Sequence, residues 1–183
     1  MHKEIETVIT EIYGNRNKDF YVSCCYREMG FITGFLEDIK EMCQNVIISN
    51  LDGEPSVEII FQLKDFVESN FEVKYSSILK ISKLCRFYNM QHEFSVDNKD
   101  IDGLFPELDG FGDEAYTKQQ FALEEVVCNY LQEKKYERLF YSDMSEVVPD
   151  IPMPPDSFFG KQMTVETALF RDVWNIAGDE LLG

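Results

Sequence analysis

Between residues 71 and 96 the chain reads FEVKYSSILKISKLCRFYNMQHEFSV. Bulky side chains fall on every second position through Val73 and Tyr75, and again through His92, Phe94 and Val96. A side-chain period of two belongs to a β-strand, because successive Cβ atoms point to opposite faces. Two or more antiparallel strands are expected here, and they limit what the rest of the chain can pack against.

The flanking segments supply helices. In YTKQQF, Thr117 stands at the N-cap, Gln120 three residues on, and Tyr116 and Phe121 where a hydrophobic staple belongs. The spacing predicts a helix over 117–133. Ile5, Val8, Ile9 and Ile12 predict another over 3–13, closed by Gly14. Val165, Leu169, Val173 and Ile176 predict a third over 165–177, ended by Gly178, with Trp174 in the core. A shorter helix is expected over 37–45. Strands are expected at 20–26, pairing with 31–35 through Gly30, and at 46–50. Others are expected from 57 to about Gln62 with a helical turn after it, at 136–142 and at 146–148. Pro149, Pro152, Pro154 and Pro155 mark a stiff loop. The sum is a single α+β domain over 1–183, with amphipathic helices on a mainly antiparallel sheet.

Charge narrows the function. Thirty-four acids against 17 bases give a net charge of −17. Phosphate binding needs clustered Lys and Arg, so nucleic acid and anionic membrane are not expected partners. A basic protein surface is. The five cysteines are odd in number and lack any C-x-x-C spacing, the usage of a reducing compartment. The N-terminus has no apolar signal core, and no apolar run approaches the roughly 20 residues of a membrane span. A cytoplasmic protein is expected.

Acids concentrate in 93–114, which holds eight carboxylates against Lys99. NKDIDGLFPELD, at 98–109, puts Asn98, Asp100, Asp102, Gly103 and Asp109 on the calcium-loop positions of an EF-hand. The segment before it alternates like a strand, the next helix starts too late, and Pro106 interrupts it, so calcium is not expected. The segment reads instead as a surface loop that docks a partner, with apolar anchors inside an acidic rim. The candidate contacts are Asp97, Asp100, Asp102, Phe105, Glu107, Asp109, Phe111 and Asp113, with Leu104 and Leu108 among the apolar residues. Burial of those apolar side chains against the sheet is the alternative. No catalytic, metal or cofactor signature occurs, and no enzyme activity is expected. His92 acting with Cys85 or Cys24 is the one thiol chemistry available.

SSILKISKLCRFYNMQHEFSV, LDGFGDEAYTKQQFALEEVV and TVETALFRD, with the size and acidity, resemble the immunity proteins of bacterial polymorphic toxin systems. The resemblance implies a small cytosolic protein that binds a cognate toxin domain and blocks it. It assigns no residue a role. A mimic of DNA directed at a nucleic-acid-binding protein is a second reading, and a Cys/His enzyme a third.

Overall fold

The computed structural model describes residues 1–49, 53–100, 108–155, 157 and 159–177. Its longest ladder is the expected one. Strands β4 (Phe71–Ser82) and β5 (Phe87–Asn98) run antiparallel, with Phe71 opposite Asn98 and Ile81 opposite Tyr88. Strands β1 (Asn45–Ser49), β2 (Ser56–Gln62) and β6 (Leu108–Gly112) complete the order β1-β2-β4-β5-β6. Strand β3 (Phe66–Glu68) pairs with the far end of β4, and β7 (Glu137–Leu139) runs parallel to the start of β5. A separate ribbon joins β8 (Val147–Pro152) to β9 (Gln162–Thr164). The domain is α+β with a mainly antiparallel sheet.

Each face of the sheet meets its own helices. Val57, Ile59, Phe61, Leu79, Ile81 and Met90 stand on one face by strand alternation. They pack against α3 (Phe31–Ile39) and α4 (Lys118–Glu133), which contribute Ile32, Phe35, Leu123, Val127 and Leu131. Each fully buried side chain of this kind contributes about 1.5–3 kcal/mol. A second cluster gathers α1 (Lys3–Ile9), α2 (Lys18–Cys25) and α6 (Val165–Phe170) around Leu84, Cys85 and Phe87, where β4 turns into β5. Helix α6 is fastened to the second face. Ser56 Oγ donates to the Phe170 carbonyl at 2.9 Å, Ser82 Oγ to that of Leu169 at 3.1 Å, and Lys80 Nζ reaches Glu166 at 2.8 Å. These attachments sit at one end. Among the described residues no helix covers the half of that face toward Lys74 and Asp97, and both of those side chains are exposed.

Several local expectations are overturned. Residues 20–26 and 31–35 are helical, as α2 and α3. Asn17 caps α2 by accepting the Phe20 N–H at 3.0 Å, and the turn then buries Tyr21, Cys24 and Cys25 together. Helical spacing likewise buries Ile32, Phe35 and Ile39. The apolar alternation at 20–26 was incidental to these contacts. Helix α3 ends at Ile39, followed by a 3₁₀ turn at Lys40–Met42 and strand β1. After Gln62 comes β3 in place of a helical turn. The expected strand at 136–142 stops at Leu139, and Tyr141–Met144 forms helix α5. Helix α6 stops at Phe170, short of 177. The extended Arg171 breaks it, and the Asp172 carboxylate then accepts the N–H groups of Ile176 and Ala177 at 2.9 Å each. Trp174 is thereby left 39% exposed, outside the core. Gly178 lies outside the described residues.

The first helix runs as expected, α1 continuing as a π-turn over Thr10–Gly14. The capping box of α4 is present: Thr117 Oγ1 accepts the Gln120 N–H at 3.1 Å, and Gln120 Oε1 accepts the Thr117 N–H at 3.0 Å. Thr117→Ala should cost about 1 kcal/mol, the usual loss of an N-cap oxygen. Chemical denaturation checks this, and an unchanged midpoint would show that the cap does not hold the helix.

Candidate docking face

The uncovered half of the second face is a built surface. Register places Gln62, Ser76, Glu93 and Phe111 side by side across β2, β4, β5 and β6. Lys74, Ser95 and Asp109 form the next row. With Asp65 these residues line a concave cavity of about 620 Å³. Lys74 is the single cation among the described lining residues, set against Asp65, Glu93 and Asp109. It is already committed, because Nζ lies 2.6 Å from Asp97 Oδ2. That hydrogen bond raises the Lys74 pKa and lowers that of Asp97. Ser76 Oγ donates to Glu93 at 3.3 Å. The surface is therefore left acidic and lined with hydrogen-bonding groups.

Strand β6 forms its rim. It pairs with β5 alone, so among the described residues its outer edge has no strand partner. An edge of this kind presents unpaired backbone N–H and C=O groups to another chain. Phe111 is 66% exposed on it. Gly110 is required by its neighbour, since a Cβ there would fall 2.2 Å from Cε1 of Phe94. The Phe94 ring crosses that space and meets Tyr116 edge-on, with centroids 4.8 Å apart.

The expected contact residues divide. Asp97, Asp109 and Phe111 come together on one face, although Asp97 is bound to Lys74. Asp100 lies just beyond β5, where its N–H donates to Asn98 Oδ1 at 3.0 Å. Asp102, Phe105 and Glu107, with Leu104, lie outside the described residues. Asp113 faces inward: Oδ2 accepts the Tyr141 N–H at 2.7 Å at the start of α5, and its carbonyl accepts from Arg138 at 3.0 Å. The 93–114 segment is also not one loop, because Glu93–Asp97 belong to β5 and Asp109 to β6. Strands on both sides replace the two helices of an EF-hand. Leu108 and Phe111 are exposed, so they are not anchored against the sheet. Asp65, Gln62, Lys74 and Ser76 went unnoticed in the sequence. Lys74 and Ser76 were legible as the polar partners of the Val73 and Tyr75 alternation.

His92 sits elsewhere, fully buried, with neighbours other than a cysteine. Its Nδ1 is 2.8 Å from Ser77 Oγ, and its Nε2 is 3.3 Å from Glu124 Oε2 without an aligned hydrogen bond. Glu124 in turn pairs with Arg138, whose second nitrogen donates to the Met90 carbonyl at 3.1 Å. Serine, histidine and carboxylate are the types of a hydrolytic triad, yet Ser77 and His92 have no exposed surface on which a substrate could land. The group reads as internal cross-bracing. Burial is the main cause that lowers the His92 pKa; Arg138 adds to it, and Glu124 opposes. The unfolded chain thus binds a proton that the folded one resists, and stability should fall as pH drops below 6.5, the ordinary histidine value. Denaturation midpoints measured from neutral pH down to the carboxylate range check this. A His92→Gln variant should lose that step, and a wild-type profile flat below 6.5 would contradict it.

The cysteines are free, and burial pushes the thiols of Cys25 and Cys85 up to about 12 and that of Cys43 to about 11. Little thiolate is present at those three positions at neutral pH. Among the described residues no helix is long and apolar enough to cross a membrane. No family model, curated protein or solved structure matches the chain.

Proposed function

We propose that this chain is a non-enzymatic acidic binding protein, an immunity protein that occludes a basic toxin domain by seating it on the open sheet face beside β6. The observation that carries the reading is the cavity where Asp65, Glu93 and Asp109 converge beside the exposed Phe111. An aromatic anchor within an acidic rim suits a partner that presents Lys and Arg. A toxin acting on nucleic acid needs those cations for phosphate, so covering them blocks substrate entry. The Cys/His reading is disfavoured by the raised thiol pKa of Cys85 and by the neighbours of His92. The DNA-mimic reading calls for carboxylates spaced along a surface, whereas these gather at one cavity.

The test is to read the genes on either side for a toxin domain and to co-express this chain with any such domain. Wild-type chain is expected to restore growth and to co-purify with the toxin domain. Phe111→Ala, which removes the anchor, should weaken both. Failure of the wild-type chain to protect, or a bound partner that is neutral or acidic, would overturn the proposal.

A further inference from the structure

A second cavity lies away from the docking face, between the turn joining α1 to α2, strand β8 and the residues after α6. Its volume is about 710 Å³, within the roughly 300–1,000 Å³ of small-molecule sites. Trp174, the only tryptophan of the chain, lines it, together with Ile12 and Ile151. Arg16 and Lys18 line it too, and among the described lining residues they face one carboxylate, Asp150, with Asp172 behind Tyr21. The local excess of positive charge stands out in a chain of net charge −17.

Neither cation is neutralised in place: among the described residues Arg16 and Lys18 make no ion pair. Asp19 follows Lys18 in the chain without pairing to it, and Glu11 is engaged by the side-chain amides of Asn15 and Asn17. Arg16 is held at φ 54°, in the left-handed region that non-glycine residues seldom occupy, so the fold imposes its placement. Tyr21 also lines the cavity. It is fully buried, with Asp172 and Cys25 beside its hydroxyl. Asp172 lies close enough to raise its pKa, and the Asp172 oxygens take the N–H groups of Ile176 and Ala177. Burial keeps this phenol protonated, so the wall that Tyr21 backs carries no charge of its own.

We propose that this cavity binds a small anionic aromatic molecule, with its acidic group at Arg16 and Lys18 and its ring against Trp174. Guanidinium and ammonium groups supply charge-assisted hydrogen bonds to a carboxylate, and the indole supplies an apolar face for the ring. The site is independent of the docking reading, and either can fail without the other.

Trp174 makes the test local, because its fluorescence reports on this cavity alone. The probes are 4-nitrobenzoate and its neutral counterpart 4-nitrobenzamide, both quenchers of tryptophan. Saturable quenching is expected, with the carboxylate binding at least about tenfold more tightly than the amide. Arg16→Gln with Lys18→Gln should weaken the carboxylate about tenfold and leave the amide and the thermal midpoint unchanged. Linear quenching equal for the two probes would overturn the proposal, as would saturable binding that ignores the double substitution. Binding seen only after deletion of residues 178–183 would assign the cavity to the chain's own acidic end and also overturn it.

Discussion

Replacing Gln120 by alanine is expected to destabilise the fold by about 3 kcal/mol, well beyond the loss at Thr117, because several buried hydrogen bonds go at once. Gln120 is fully buried. Its Oε1 accepts the N–H groups of Tyr116 and Thr117 at 3.0 Å, closing the start of α4. Its Nε2 donates to the carbonyls of Ser76 at 2.9 Å and Glu93 at 3.0 Å, on adjacent strands. One side chain thus caps a helix and pins it to the sheet beneath. Each bond is worth about 1 kcal/mol net. Gln120→Glu separates the two roles, since it keeps an acceptor for the cap and loses the donor to the strands. The urea midpoint should fall for both variants at unchanged slope. A loss no larger than that of Thr117→Ala would show that the link to the strands contributes nothing.

The second large effect concerns encounter with the partner. Reversing Asp65 and Asp109 to lysine should slow association with the proposed basic partner by about tenfold at low salt, since electrostatic steering governs the rate of encounter. The difference should shrink as ionic strength rises, because the Debye length is only about 8 Å at physiological salt. Phe111→Ala should act on the other rate and speed dissociation, as loss of a packed anchor does. Asp97 is a poor choice for reversal, since a lysine there would oppose Lys74 directly and disturb the strand pair. Stopped-flow measurements at two salt concentrations resolve both rates. An association rate indifferent to salt and to the double reversal would contradict steering by this face.

What the sequence disclosed follows from how local each signal is. The β4–β5 alternation and the Thr117–Gln120 box are statements about neighbours in the chain, and both are present in the fold. Residues 20–26 satisfied a strand pattern and a helix pattern at once. Burial of Tyr21, Cys24 and Cys25 against α1 and α6 decided for the helix, and that contact is invisible to a short window. The site was legible in the same measure. Asp109 and Phe111 stood out within an acidic stretch, and they lie on the face. Gln62 reaches it only through the register of β2 and β4, and Asp65 through the link from β2 to β3, both set by pairings between distant segments. Asp113 looked equivalent to its acidic neighbours until the fold turned it toward the N–H of Tyr141.

Hydrogen exchange of the complex tests the central claim most directly. Leu108–Gly112 form a strand whose outer edge has no strand partner among the described residues, so outward-facing amides there should exchange readily in the free protein and slow when a partner covers them. The account predicts protection on binding at 108–112 and at the adjoining part of β5, with little change in α1, α2 and α6. Protection confined to those helices, with exchange at 108–112 the same in the free and bound protein, would contradict it.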